Sequence, residues 1–144
     1  MSRRFESQEQ MDAFLAEPRL AVLMYHGARL SPTGVPVWFD WDGATLRIFA
    51  ARNSAKVKHI RNNPNVSVLV TNRVGEPEGW VAFDGKANIL ECVPSEWTAL
   101  LDRVAPRYWD MTEQNYADEI ENWRKAPEAF VLLQFQPESI RSGA

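Results

Sequence analysis

The order of apolar and polar positions divides the first third of the chain into short strands joined by tight turns. Arg19–His26 is a compact apolar run of strand length, and Val35–Trp41 alternates between apolar and polar positions. Asp42 and Gly43 form a hairpin signal, and Ala44–Ala50 follows as the return strand. The pattern therefore predicts an antiparallel meander.

The remaining strands are predicted further along the chain. Val66–Thr71 is typical of a buried strand, and Trp80–Val93 reads as one long strand or as two strands joined at a kink at Gly85. Ala129–Gln136 is the last predicted strand, and residues 137–144 are expected on the surface or against a partner subunit. About six short strands at close spacing favour a mainly β, α+β fold built as an antiparallel barrel with peripheral helices.

Four helices are predicted between these strands. Ser7 and Gln10 fit a capping box, Ser54–Asn62 is a short basic helix, and Pro94 opens a longer one. Thr112 is placed to cap the fourth. The apolar stripe of the third helix, at helical spacing, consists of Trp97, Leu100, Leu101 and Val104.

Composition excludes several function classes. The length of 144 residues fits one domain over residues 1–144, and the net charge of −3 argues against a nucleic-acid partner. The single cysteine, Cys92, and the distant His26 and His59 form no metal-ligand spacing, so no metal site is expected. No catalytic acid or base stands out. The charged start of the chain lacks a secretory signal, and no apolar run is of membrane-spanning length, so we expect a cytoplasmic protein with no membrane partner.

The stretch Ile48–Pro64 carries the main chemical signal. An apolar strand ends at Ala50, and the basic helix begins with a hydroxyl at Ser54 and an ammonium at Lys56. The start of a helix offers unpaired N–H groups and the positive end of the helix dipole. A donor and a cation at that place predict a seat for a phosphate. The competing interpretation is an ordinary helix cap with a solvated lysine.

These residues also resemble a known family. The strand at Pro36–Phe39, the hairpin, the segment Asn53–Val70 and the strand Trp80–Ile89 are similar to the split β-barrel flavoproteins related to pyridoxamine 5′-phosphate oxidase. The resemblance covers about residues 20–140. It implies a homodimer that binds FMN, or in one branch the deazaflavin F420, at the subunit interface, and that acts on a small-molecule substrate.

The resemblance also implies a set of cofactor-binding residues. The strand edge at Val35, Pro36, Val37 and Trp38 would meet the flavin ring, and Phe49 and Ala50 would lie along the ring and the ribityl chain. Arg52, Ser54 and Lys56 would surround the phosphate. Trp80 and Val81 would approach from the second subunit. Three of these residues have a structural alternative: Arg52 as a surface charge, Trp80 as interface packing, and Trp38 as a core or interface residue. If the strand register slips by one, Trp41 would take the place of Trp38.

Departures from the family pattern narrow the chemistry. Relatives that oxidise pyridoxamine phosphate carry an arginine where Val35 stands and a basic residue at the position of Ala55, and they carry a C-terminal Arg/His segment that this sequence lacks. We therefore expect another substrate.

The leading hypothesis is an FMN-dependent oxidoreductase. A reductase that uses reduced F420 is the first alternative: Lys58 and Arg61 would assist its acidic tail, whereas Asn62 and Asn63 stand where more charge would be favourable. A non-catalytic flavin- or haem-binding protein for storage or stress response is the second alternative.

Overall fold

The computed structural model describes residues 5–143; residues 1–4, at the charged start of the chain, and Ala144 lie outside the described part. The helices are α1 (Gln8–Ala16), α2 (Ala55–Asn62), α3 (Pro94–Tyr108) and α4 (Gln114–Arg124). The strands are β1 (Ala21–His26), β2 (Pro32–Val37), β3 (Asp40–Trp41), β4 (Leu46–Ala51), β5 (Asn65–Thr71), β6 (Trp80–Lys86), β7 (Asn88–Glu91), β8 (Phe130–Phe135) and β9 (Ser139–Gly143).

The strands form two antiparallel sheets around one core. The larger sheet has the order β2-β1-β5-β6-β9, and the smaller has the order β3-β4-β8-β7. Alternate side chains of both sheets point inward, as the strand period of two requires. Examples that are almost fully buried are Leu23, Val68, Ile48 and Leu133. The predicted architecture, mainly antiparallel β with helices outside, is confirmed.

The expected number of strands, about six, is corrected to nine in the described part of the chain. The predicted strand Val35–Trp41 is interrupted at Trp38 and Phe39, because the chain there leaves the larger sheet for the smaller one. The predicted strand Trp80–Val93 is interrupted at Ala87 for the same reason.

The glycine kink expected at Gly85 is not where β6 ends. Gly85 stays inside the strand, opposite Val66, and a Cβ there would lie 2.6 Å from Cδ2 of Phe135. The glycine is therefore needed for close packing of β6 against an aromatic ring of the other sheet, rather than for a bend.

The C-terminal segment, expected on the surface or against a partner subunit, forms the exposed strand β9 on the edge of the larger sheet. Arg141 donates to both carboxylate oxygens of Asp84 on β6, at 2.7 and 2.9 Å. Gly143 pairs with Trp80, and a Cβ at Gly143 would lie 2.8 Å from that indole. Main-chain pairing and these two contacts hold a strand that carries little apolar pattern of its own.

Helices α3 and α4 cover part of the outer face of the smaller sheet. The predicted apolar stripe of α3 is confirmed: Trp97 is 1% exposed, and its indole N–H donates to the carbonyl of Trp123 at 2.8 Å. The α3 helix is also tied to β3, because Arg103 donates to both oxygens of the buried Asp40 at 2.8 and 3.0 Å. No helix in residues 5–143 is long and apolar enough to cross a membrane.

Candidate functional site

The turn from β4 into α2 builds the start of the candidate site. The N–H of Ser54 donates to the carbonyl of Ala51 at 3.0 Å, and the carbonyl of Ser54 accepts from the N–H of Lys58 at 3.2 Å, so Ser54 is the N-cap of α2. Val57 and Ile60 dock the helix on the core. The first turn leaves its backbone N–H groups without carbonyl partners inside the helix.

The hydroxyl of Ser54 is the most informative atom of this turn. It is buried, yet it has no hydrogen-bond partner in the described structure, and it does not cap α2. A buried polar atom without a partner costs about 1–3 kcal/mol. Such a group calls for a partner from outside the chain, either an ordered water or a ligand.

A cavity of about 470 Å³ is lined in part by Ser54. Three of the side chains that line it are cationic, and they belong to Arg52, Lys58 and Arg61. The remainder of the lining consists of Asn53, Ser54, Val57 and Asn62. A polar hydroxyl, a helix start and three positive side chains fit the chemistry of a phosphate.

Arg52 is held firmly at one wall of this cavity. Its Nη1 donates to Oε1 of Glu91 at 2.9 Å, its Nη2 donates to Oε2 of the same carboxylate, and its Nε donates to the carbonyl of Glu128 at 2.8 Å. The hydrogen bonds that Arg52 donates to Glu91 raise the pKa of Arg52, and they lower the pKa of Glu91. Arg52, predicted to surround the phosphate, is thus a fixed, ion-paired group that lines the cavity.

Lys56 is absent from the lining of the cavity, although the sequence assigned it to the phosphate. Residues 54, 58 and 61 follow the helical spacing i, i+4 and i+7 and share one face, whereas a residue two positions from Ser54 lies on another. Lys58 and Arg61 are therefore the lysine and arginine that the structure brings to Ser54. Helical periodicity was the signal in the sequence that pointed to them.

The predicted ring-binding segment lies on the edge of the larger sheet. Among the strands of residues 5–143, β2 pairs only with β1, with Val35 opposite Leu23 and Val37 opposite Ala21. The other side of β2 leaves N–H and C=O groups open to a ligand, as in any edge strand. Val37 is buried, Val35 is half-buried, and Pro36 is exposed.

Trp38 and Phe49 meet in an aromatic cluster beneath α3 and α4. Their ring centroids are 5.9 Å apart in an edge-to-face arrangement, and Trp38 stacks on Tyr108 at 4.8 Å with nearly parallel planes. Ala50 faces the main core. Trp41 packs on Phe83 in the core and donates to Asp12 at 2.8 Å, so it does not take the place of Trp38.

Trp80 and Val81 lie away from the Ser54 cavity, at the start of β6. Trp80 is half-buried beside β9, and the side chain of Val81 is fully buried in the core. Neither residue lines the cavity in the same chain. Any contact of Val81 with a ligand would have to use its main chain.

A larger cavity, of about 570 Å³, opens where α3 leaves the outer face of the smaller sheet uncovered. Leu90, Leu132 and Trp97 form part of its apolar lining, and Arg47 and Glu91 are among its charged residues. Cys92 also lines it, and burial raises the pKa of this thiol to about 11, so it stays protonated and unreactive at neutral pH. The sequence pattern did not predict this cavity, because residues from five elements line it.

A sequence model of pyridoxamine 5′-phosphate oxidase matches residues 7–142. The chain belongs to this family. Its fold is similar to that of many solved structures, and this similarity confirms the split-barrel type. Comparison with curated proteins gave no significant match.

Three solved structures illustrate the range of this family's relatives. The protein Rv2991 from Mycobacterium tuberculosis is 21% identical, with a TM-score of 0.72 over 99% of this chain and 88% of that one. An F420 reductase is 20% identical, with a TM-score of 0.67 over 90% and 94% of the two chains. The haem storage protein HutZ from Vibrio cholerae is 17% identical, with a TM-score of 0.71 over 96% and 94%. At these identities, the likeness concerns the fold.

Proposed function

We propose that this protein is an FMN-dependent oxidoreductase that passes hydride or electrons between the bound flavin and a small organic substrate other than pyridoxamine phosphate. Membership of the family supports a flavin-type cofactor. The site supports the same conclusion independently, because it has the features of a phosphate-binding helix start.

The unpartnered hydroxyl of Ser54 is the observation that carries the proposal. It is buried at the start of α2 and adjoins a cavity that Arg52, Lys58 and Arg61 make positive. A phosphate oxygen would accept from this hydroxyl and from the open N–H groups of the first helical turn. The cations would balance the two negative charges of the phosphate.

The rest of the proposed site positions the flavin ring. The open edge of β2 at residues 35–37 offers main-chain donors and acceptors to the ring's polar edge, and the Trp38–Phe49 contact supports that strand from behind. When bound, the flavin supplies the redox chemistry at its N5 position. The protein then contributes binding, orientation and electrostatics, which agrees with the lack of a distinct acid or base in the sequence.

We also propose that the active unit is a homodimer. Trp80 and the main chain at Val81 do not reach the Ser54 cavity in their own chain, and a second copy would bring them to the flavin, as the family resemblance implies. The edge strands β2 and β9 and the partly exposed Leu90, Val93 and Ile140 are available for such contacts. Sedimentation equilibrium with and without FMN tests this part of the proposal.

An F420-dependent reductase is the second candidate, and the lining of the cavity favours keeping it. Lys58 and Arg61 extend the positive lining along α2 beyond Ser54. An acidic tail that continues from the phosphate would follow that face. The neutral Asn62 at the same face limits the charge available to such a tail.

The structure offers less to a haem-binding function. His59 stacks on Tyr25, with ring centroids 6.1 Å apart, and His26 is exposed at the end of β1. Neither histidine lines the two cavities described above. We therefore place the flavin before haem. A haem titration that shifts the Soret band would reverse that order.

Titration of the ligand-free protein with FMN and with F420 tests the proposal, using flavin fluorescence and the visible spectrum. The variants Lys58→Ala and Arg61→Ala should weaken FMN binding about tenfold each, because each loses one charged contact to the phosphate. Lys125→Ala, which removes an exposed lysine at the C-terminal end of α4 that does not line the cavity, is the matched control. Lys56→Ala decides which lysine binds the phosphate: FMN affinity should fall if it is Lys56 and stay unchanged if it is Lys58. Riboflavin, which lacks the phosphate, should bind all variants alike.

A further inference from the structure

Glu91 lies at the end of β7, and its carboxylate forms a two-bond ion pair with Arg52. We infer that Glu91 is a specificity-determining residue: its charge lowers the positive potential of the phosphate seat and so weakens the binding of a phosphomonoester, with two negative charges, more than that of a phosphodiester with one. This inference rests on the proposed phosphate site. The sequence pattern that predicted the phosphate site did not include Glu91.

Arg52 connects the carboxylate to the seat, because its guanidinium pairs with Glu91 while the residue itself lines the cavity. Arg52 uses three of its five N–H donors, two on Glu91 and one on the carbonyl of Glu128, which leaves two without a partner in the described residues. A phosphate on the cavity side would share the charge of Arg52 with Glu91.

The charges around the Arg52–Glu91 pair also indicate that Glu91 lowers the positive potential of the seat. Arg52 and, more weakly, Arg61 lower the pKa of Glu91, so the carboxylate is ionised at neutral pH. The cavity is lined by three cations, and Glu91 offsets one of them. The seat then acts toward an anion with about two positive charges instead of three.

The size of the effect follows from the separation of two anions across one guanidinium, about 7 Å. At that separation, one unit charge changes the affinity for each charge on the ligand by about threefold in a water-like dielectric and by up to about fiftyfold at an effective dielectric constant of 20. The side chain of Glu91 is 72% exposed, so we expect the lower end of that range. Removing the charge should improve binding of a dianion more than binding of a monoanion.

The test compares two ligands that share the same ring: FMN and its phosphate methyl ester, which is a diester with a single charge. Dissociation constants at pH 7.5 and low salt are measured for the wild type, Glu91→Gln, Glu91→Asp and Glu113→Gln. Glu91→Asp keeps the charge. Glu113→Gln makes the same change in net charge at the exposed start of α4. Circular dichroism and thermal unfolding confirm that each variant folds.

In Glu91→Gln, we expect tighter binding of both ligands and a preference shifted toward FMN by at least about threefold. Glu91→Asp and Glu113→Gln should keep the wild-type preference within about twofold, and high salt should shrink the shift. An unchanged preference in Glu91→Gln, or equal weakening of both ligands, would overturn the inference and identify Glu91 as a residue that only holds Arg52 in place. If the wild type binds neither ligand, the proposed function itself fails, and the inference fails with it.

Discussion

Replacing Ser54 with alanine should stabilise the ligand-free protein and weaken FMN binding at the same time. The hydroxyl is buried without a partner, and it makes no cap bond that alanine would lose. Removing it abolishes a desolvation cost, for which we take about 1 kcal/mol, the low end of the usual range. Over 144 residues, an unfolding entropy of about 0.3 kcal/mol/K turns this gain into a rise in Tm of about 3 °C.

Affinity should change in the opposite direction. A hydrogen bond from Ser54 to a charged phosphate contributes about 1.5–3 kcal/mol, so Ser54→Ala should bind FMN about tenfold to about a hundredfold more weakly. At an FMN concentration 100 times the wild-type Kd, the wild type gains about 2.7 kcal/mol of stability. A variant that binds thirtyfold more weakly gains only about 0.9 kcal/mol under the same conditions. The order of the two melting temperatures should therefore reverse when FMN is added.

Thermal unfolding by circular dichroism, without FMN and with FMN at that excess, measures both effects in one experiment. Ser95→Ala changes an exposed serine in the first turn of α3 and serves as the control, with no expected change in FMN affinity. A Tm of ligand-free Ser54→Ala at or below the wild-type value would show that the hydroxyl has a partner in solution. Unchanged FMN affinity would show that the phosphate does not bind at this hydroxyl.

Three further predictions follow from the contacts described above. Lys58→Ala should weaken FMN binding and reduce its dependence on salt, measured by titrations at two ionic strengths, whereas Lys125→Ala should leave both unchanged. Trp97→Ala should lower the free energy of unfolding by about 3–5 kcal/mol in urea melts, because it empties the centre of the aromatic cluster; a loss below about 1 kcal/mol would contradict that placement. Arg141→Ala should lower the free energy of unfolding slightly at neutral pH, because it removes an exposed ion pair. Arg141 depresses the pKa of Asp84 in the folded state, so this difference is complete above about pH 4 and shrinks as the pH falls below it; a difference independent of pH between 2 and 7 would exclude the ion pair as its cause.

The local sequence pattern was sufficient to predict the elements that depend mainly on neighbouring residues. The α2 helix and the strand β5 were predicted almost to the residue, because Pro64 ends one and a clear apolar alternation begins the next. The stripe of α3 was equally clear. These features need only the helical or strand period and a residue that breaks it.

Features that depend on distant partners were not predictable in the same way. The strand predicted at Val35–Trp41 breaks at Trp38 and Phe39, where the chain passes from the larger sheet to the smaller. Alternating apolar and polar residues indicate a strand, but they do not indicate which sheet it joins. The buried Asp40 pairs with Arg103, 63 residues later, and that partner cannot be read from the local pattern. β9 has too few apolar residues to predict a strand, and it is held by pairing with β6.

The candidate site shows the same division. Ser54 was identified from the helix start alone, whereas the choice between Lys56 and Lys58 needed the face of the helix. Glu91 had no local signal at all, because its importance comes from Arg52, 39 residues earlier in the chain.

The phosphate seat is tested most directly by a titration of the ligand-free protein with FMN and, in parallel, with riboflavin. We expect tight binding of FMN with a flavin spectrum and binding of riboflavin weaker by at least about a hundredfold, because the phosphate contacts at Ser54, Lys58 and Arg61 each contribute. Equal affinity for the two flavins, or no binding of FMN, would contradict a phosphate seat at the start of α2.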